Sequence, residues 1–215
     1  MRSTFDTMGR WLVRAMAVAL IAGAGGPVAP PAASAAGTGD PNAFERDAVF
    51  DGPADLVWRL LTTEQGVESW LVPHAEVDLR VGGYVKTNHD PDGKIGDPMT
   101  VVNRVLALTP GKSVAVRLDQ TPQGYPLANM VVGTWYEVSV DPVADGRSRL
   151  RCVGHGFGAG PAAYMIRPMF DKAADMAFDQ LRAAVEREAT RKPAPRSAPA
   201  KISKTPTKTP PKRTR

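Results

Sequence analysis

Near residue 73 the apolar residues change their spacing, and that change limits what this chain can fold into. Upstream, Val67, Trp70 and Leu71 fall at i, i+3 and i+4, the stripe of a short helix that Pro73 stops. Downstream, Val77, Leu79 and Val81 alternate with Glu76, Asp78 and Arg80, the period of a strand with one buried face. Gly82 and Gly83 interrupt the alternation, which predicts a bulge or tight bend before "YVKTNHD" resumes the strand. From there the period stays at 2. "MTVVNRVLAL" and "SVAVRLD" form a hairpin around "TPGK", and "TWYEVSV" and "SRLRCVG" form another around "DPVADGR". "QTPQGYPLANMV", between the hairpins, reads as a loop.

Before the switch, "FERDAVF" suits a first strand, and "DGPADLVWRLLTT" a helix with Asp51 as capping candidate, Pro53 in the first turn and Leu56, Val57, Leu60 and Leu61 on one face. At the far end, residues 165–190 carry a broad apolar stripe that includes Met169, Phe170, Ala173, Leu181 and Val185. Pro168 is tolerable in the first helical turn, so the helix is predicted to begin close to residue 165. The order is strand, two short helices, antiparallel meander and one long helix. That is an α+β chain whose sheet buries one face beneath the last helix.

Both ends depart from this pattern. Arg2, Arg10 and Arg14 precede an apolar run, "AMAVALIAGAGG", and then small residues, the layout of a secretory signal with cleavage after Ala35. The run is shorter than the roughly 20 residues that span a bilayer. Residues 1–35 are therefore expected to be a signal peptide, 36–43 a linker, and the protein exported to the periplasm or beyond. From Arg191 to residue 215 there are nine Lys or Arg and no acidic residue, with frequent Pro, so 191–215 is expected to be a disordered basic tail. Such a tail either keeps the protein soluble or draws it to an anionic membrane or envelope surface, at about 1 kcal/mol per basic residue.

The full chain carries +5, yet residues 36–190 hold 15 Lys or Arg against 21 Asp or Glu, a net −6. The high pI belongs to the tail, and the folded part gives no reason to expect nucleic acid as a partner. Cys152 is the lone cysteine, so no internal disulfide forms, and its alternation with Leu150 points it into the core. The histidines, His74, His89 and His155, are too scattered for a local metal motif, and "HAE" at 74–76 lacks the paired cysteines of a zinc deaminase. No metal, cofactor or catalytic set is assigned. Glu137 and Arg151 are expected to meet across the second hairpin.

The stretches "VWRLLTTEQGVESWL", "AEVDLRVGGYV" and "DPDG", with "GHGF" before the last helix, resemble the START-like or SRPBCC superfamily, in particular the homologues of heat-shock ATPase activators. The resemblance covers residues 44–190. It implies a helix-grip fold, in which a bent antiparallel sheet wraps a long C-terminal helix around a tunnel and the glycines near Tyr84 permit the bend. Members of the superfamily bind lipids, sterols or polyketides, and some are cyclases, hydrolases or co-chaperones. Candidates for the cavity wall are Trp70, His74, Tyr84, Trp135, Tyr136, His155, Met169 and Phe170; periodicity does not separate cavity wall from ordinary core. The expectation is an exported, non-enzymatic carrier or sensor of a small hydrophobic ligand, lipid or polyketide-like. The alternatives are a cavity enzyme of the cyclase or hydrolase kind, with His155 or His74 as base, and a protein-partner module like the ATPase activators.

Overall fold

A computed structural model describes residues 43–158 and 161–191, so the signal segment, nearly all of the linker, and the tail beyond Arg191 lie outside the described residues. The elements are β1 (Phe44–Phe50), α1 (Ala54–Thr62), α2 (Glu64–Glu68), β2 (His74–Val77), β3 (Tyr84–Asn88), β4 (Val101–Thr109), β5 (Ser113–Gln120), α3 (Ala128–Val131), β6 (Trp135–Pro142), β7 (Ser148–His155) and α4 (Pro161–Thr190). Seven strands form one antiparallel sheet in the order β1-β7-β6-β5-β4-β3-β2. The meander runs in sequence from β2 to β7, and β1 closes onto β7. No described helix is long and apolar enough to cross a membrane.

Alternation along the strands sends Phe44 and Phe50 on β1, Val116 on β5, Tyr136 on β6 and Cys152 on β7 to the helix side, where all are buried. α4 answers with Phe170, Ala173, Ala177, Leu181 and Val185, also buried. Tyr136 meets Phe170 at 5.7 Å between ring centroids, and Phe50 meets Phe178 at 5.9 Å. Each large side chain so buried contributes about 1.5–3 kcal/mol, which makes this two-layer seam the main source of stability. Polar ties flank it: Arg46 Nε reaches Asp175 at 2.6 Å and its Nη2 reaches Asp171 at 3.4 Å, while Arg182 donates to the Val49 carbonyl at 2.9 Å.

The first helices carry the expected buried face, with one change at the start. Pro53, in extended conformation, is the N-cap, and its carbonyl accepts from the amides of Leu56 (3.0 Å) and Val57 (3.2 Å). Asp51 makes no cap. Thr63 Oγ1 caps α2 through the Gly66 amide at 3.0 Å.

Three further features differ from the sequence reading. The strand does not run on through Leu79 and Val81: β2 ends at Val77, and Gly82-Gly83 close a hairpin in which Val77 faces Val85. Gly82 takes φ +96°, and a Cβ on Gly83 would overlap the Asp78 carbonyl oxygen, so the pair reverses the chain. The irregularities that bend a sheet lie elsewhere, in register shifts between β4 and β5 at Val102/Asn103 and Val105/Ala107. α4 begins at Pro161, so Pro168 lies within it and has no N–H to offer the Tyr164 carbonyl. Arg151 pairs with Glu45 on β1 (2.5 Å) instead of Glu137, because the β6–β7 register sets Arg151 opposite Ser139. The expected loop before β6 also contains the short helix α3.

Candidate ligand site between sheet and helix

The helix side of the sheet is apolar around its centre. Phe44, Tyr136, Phe157 and Phe170 form one aromatic cluster, with centroid separations from 4.9 Å (Phe157–Phe170) to 5.9 Å (Phe44–Tyr136). Elsewhere between sheet and α4, Leu61, Trp70, Cys152, Phe178 and Leu181 line a void of about 10 Å³, room for about one water.

Polar atoms interrupt this interior. Tyr136, 1% exposed, lies beside Thr134, whose hydroxyl donates to the Val131 carbonyl at 2.7 Å, and the Tyr136 hydroxyl is buried without a full hydrogen bond among the described residues. The Tyr125 hydroxyl, within electrostatic reach of Tyr136, and Thr87 Oγ1 are likewise buried without a partner. Thr87 and Asn103 occupy core-facing positions of β3 and β4, in line with Val85, Val101 and Val105. An unmet buried hydroxyl costs about 1–3 kcal/mol, so the hydroxyls of Tyr136, Tyr125 and Thr87 are a reserve of interaction that an incoming oxygen or nitrogen would satisfy.

Burial holds the reactive groups here in their neutral forms. It pushes the Tyr136 phenol well above its ordinary range and raises that of Tyr125. It drives the Cys152 thiol up against the weaker pull of Arg46 and Arg151, so Cys152 is a packed apolar group and not a thiolate. What the interior offers is hydrogen bonding by neutral hydroxyls.

The eight residues singled out from the sequence divide evenly between two places. Trp70, Tyr136, Met169 and Phe170 pack on the interior. Trp70 also lines an open groove of about 290 Å³ with Leu71, Pro73, His89 and Pro91, and so borders both that groove and the interior void. Its Nε1 is pinned to the Leu60 carbonyl at 3.0 Å. His74, Tyr84, Trp135 and His155 occupy the opposite register and face away from α4. His74 Nε2 lies 3.1 Å from the Pro91 carbonyl, and Trp135 stacks on His155 at 3.9 Å. The sequence reading missed Thr87, Asn103, Tyr125 and Thr134. A signal was present for two of them, because Thr87 and Asn103 are polar residues on the apolar phase of their strands.

The outer face carries its own charge network. Asp119 accepts from Arg104 Nε (2.6 Å) and Arg117 Nε (2.8 Å). Desolvation raises its carboxyl, but the two guanidinium groups outweigh this and hold it below its ordinary value. A lowered carboxylate pKa adds stability at neutral pH that is lost as pH falls through the folded-state value, below about 4. In urea titrations, wild type is therefore expected to be more stable than Asp119→Asn at pH 7, with the gap closing as pH drops below about 4. A gap that stays constant down to pH 2 would contradict this assignment.

An antiparallel sheet closed by one long helix, with buried hydroxyls in the seam, defines a helix-grip protein of the START-like or SRPBCC class. Over residues 42–186 the sequence matches the family described as polyketide cyclase / dehydrase and lipid transport, and the chain belongs to it. Solved structures with this fold include MLL2253 from Mesorhizobium loti, at 19% identity and TM-score 0.54, covering 67% of this chain and 97% of that one. The Aha1 dimer from Colwellia psychrerythraea is similar at 17% identity and TM-score 0.50, covering 67% and 96%. The di-domain ARO/CYC BexL from the BE-7585A biosynthetic pathway is similar at 18% identity and TM-score 0.53, covering 69% of this chain and 48% of that one. At these identities the likeness concerns the fold alone. No curated protein is similar enough in sequence to count as a match.

Proposed function

We propose that this domain is a carrier or sensor that holds a small, mainly apolar molecule bearing at least one oxygen or nitrogen between the sheet and α4. The observation that carries the reading is the set of buried, unpartnered hydroxyls on Tyr136, Tyr125 and Thr87. A ligand takes the space now filled by the Phe157 and Phe170 rings and gives these hydroxyls partners. The route runs through the groove behind Trp70, whose indole is the wall to be displaced. Holding is favoured over turnover because the interior phenols and thiol are kept protonated, and a neutral hydroxyl positions a ligand better than it abstracts a proton.

Tyr136→Phe tests this with two opposed readouts. Without ligand the variant is expected to be as stable as wild type or up to about 1 kcal/mol more stable, since an unmet hydroxyl is removed. Its affinity for the molecule that co-purifies with wild type, identified by native mass spectrometry and denaturing extraction, is expected to fall roughly 3- to 10-fold. Loss of stability with unchanged ligand affinity would make the hydroxyl structural and remove the basis of the proposal.

Export and attachment belong to the same proposal, supported by the sequence of the two ends. The signal layout of residues 1–35 would deliver the domain outside the cytoplasm, and the basic tail from Arg191 would hold it near anionic headgroups. The full chain is expected to sediment with phosphatidylglycerol vesicles at low salt and to be released at 0.5 M NaCl. A chain ending at Arg191 that sediments equally well would assign the attraction to the domain instead.

A further inference from the structure

Register places a row of five side chains across five strands on the face turned away from α4. Tyr84 on β3 pairs with Arg104 on β4, Arg104 with Arg117 on β5, Arg117 with Trp135 on β6, and Trp135 with His155 on β7. The row joins two guanidinium groups flanked by aromatic rings. The Arg104 guanidinium lies over the Tyr84 ring at 4.6 Å, and Trp135 stacks on His155 with 17° between planes.

Arg104 opposite Arg117 is a like-charge cross-strand pair, an arrangement that weakens a sheet unless an anion offsets it. Asp119 offsets only half. It takes the Nε–H of each arginine, which leaves the row one positive charge in excess on a domain that is otherwise acidic. The terminal nitrogens of Arg117 have no hydrogen-bond partner among the described residues, Arg104 also reaches the Tyr84 side chain, and both arginines are about a third or more exposed, at 34% and 42%. Glu137 faces the same side one row along, opposite Ala115 and Val153, where Arg151 feels its charge.

We propose that this row is a second binding site, separate from the interior, for an aromatic carboxylate. The two guanidinium groups present fork-shaped donors whose excess charge matches one carboxylate. The faces of Tyr84 and Trp135 turned away from Arg104 and His155 supply the flat surfaces against which an aromatic ring stacks. A phosphodianion would bring one more negative charge than the row offsets, and a neutral ring would leave the arginines unmet.

The test uses the full chain and 2-naphthoate as probe, with 2-naphthol and acetate as controls lacking the charge or the ring, read by calorimetry. Naphthoate is expected to bind at least tenfold more tightly than either control and more weakly as NaCl is raised. Arg117→Gln and Trp135→Leu are each expected to lower its affinity at least fivefold. Arg117→Lys, which keeps the charge and disturbs the sheet least, is expected to lower it about threefold through loss of the fork. Tyr136→Phe is expected to leave it unchanged, which separates this site from the interior one. Equal binding of naphthoate and naphthol, or naphthoate affinity unaffected by Arg117→Lys and Arg117→Gln, would overturn the proposal.

Discussion

Phe44→Ala is expected to destabilise the domain by about 3–5 kcal/mol, the range for removing a buried aromatic ring from a core that collapses only partly. Phe44 is 1% exposed. Its ring packs against Tyr136 at 5.9 Å and Phe157 at 5.7 Å, and lies over Gly154, where any Cβ would overlap it. The surroundings have little freedom to close the gap. β1 is an edge strand held on one side by β7, and on the helix side by Arg46 to Asp171 and Asp175. Since a domain of this size has some 5–15 kcal/mol in total, the loss brings it close to unfolding. Equilibrium urea denaturation reads the change, and a loss under 1 kcal/mol would show that the aromatic cluster is not a rigid part of the core. The cavity left behind adjoins the Tyr136 ring. An aromatic alcohol added to the variant is therefore expected to raise its unfolding midpoint in proportion to occupancy.

That cluster marks how far the sequence could be read. Strand alternation and the long apolar stripe specify which residues of β6, β7 and α4 turn inward, so the helix-grip layering was legible from Tyr136, Cys152 and Phe170 alone. The same alternation put Trp135 on the opposite face from Tyr136. Trp135, His155, Tyr84 and His74 are cavity candidates by residue type alone, and the register sets them on the face turned away from α4, where His155 is nonetheless buried. Aromatic character says that a ring seeks contact; only pairing says from which side. The polar floor was half legible, because Asn103 sits between Val101 and Val105 on an apolar phase. Tyr125 was not legible at all, since a loop has no period. Salt-bridge partners behaved similarly. Arg151 was assigned to Glu137 from a hairpin that exists, but β1 returns to the far side of β7 and supplies Glu45, a contact 106 residues away in sequence.

The Gly82-Gly83 turn between β2 and β3 tolerates little change. Gly83→Ala is expected to destabilise the domain by about 1–3 kcal/mol or more, as overpacking against a fixed neighbour does. The overlap is with the Asp78 carbonyl, and backbone cannot rotate away as a side chain would. The Asp78 amide is also held by the Tyr84 carbonyl at 2.8 Å, and the Gly83 amide by Arg80 at 2.8 Å, so relief requires breaking the turn. Gly82→Ala meets open space, apart from Arg80 Nη1 at 3.7 Å, and faces only the strain of φ +96°. It is expected to cost about 1–2 kcal/mol. The damage should also be local in a way that bears on function. β2 is the outer edge strand, paired only with β3, and the Ala75 amide is tied to Glu68 on α2 at 3.0 Å. Opening the turn frees that edge beside the groove wall at Trp70. Hydrogen exchange on Gly83→Ala is therefore expected to show faster exchange in β2 and β3 than in β6 and β7. Uniform acceleration across the sheet would mean that the hairpin and the core open as one unit, and that ligand entry behind Trp70 demands global unfolding.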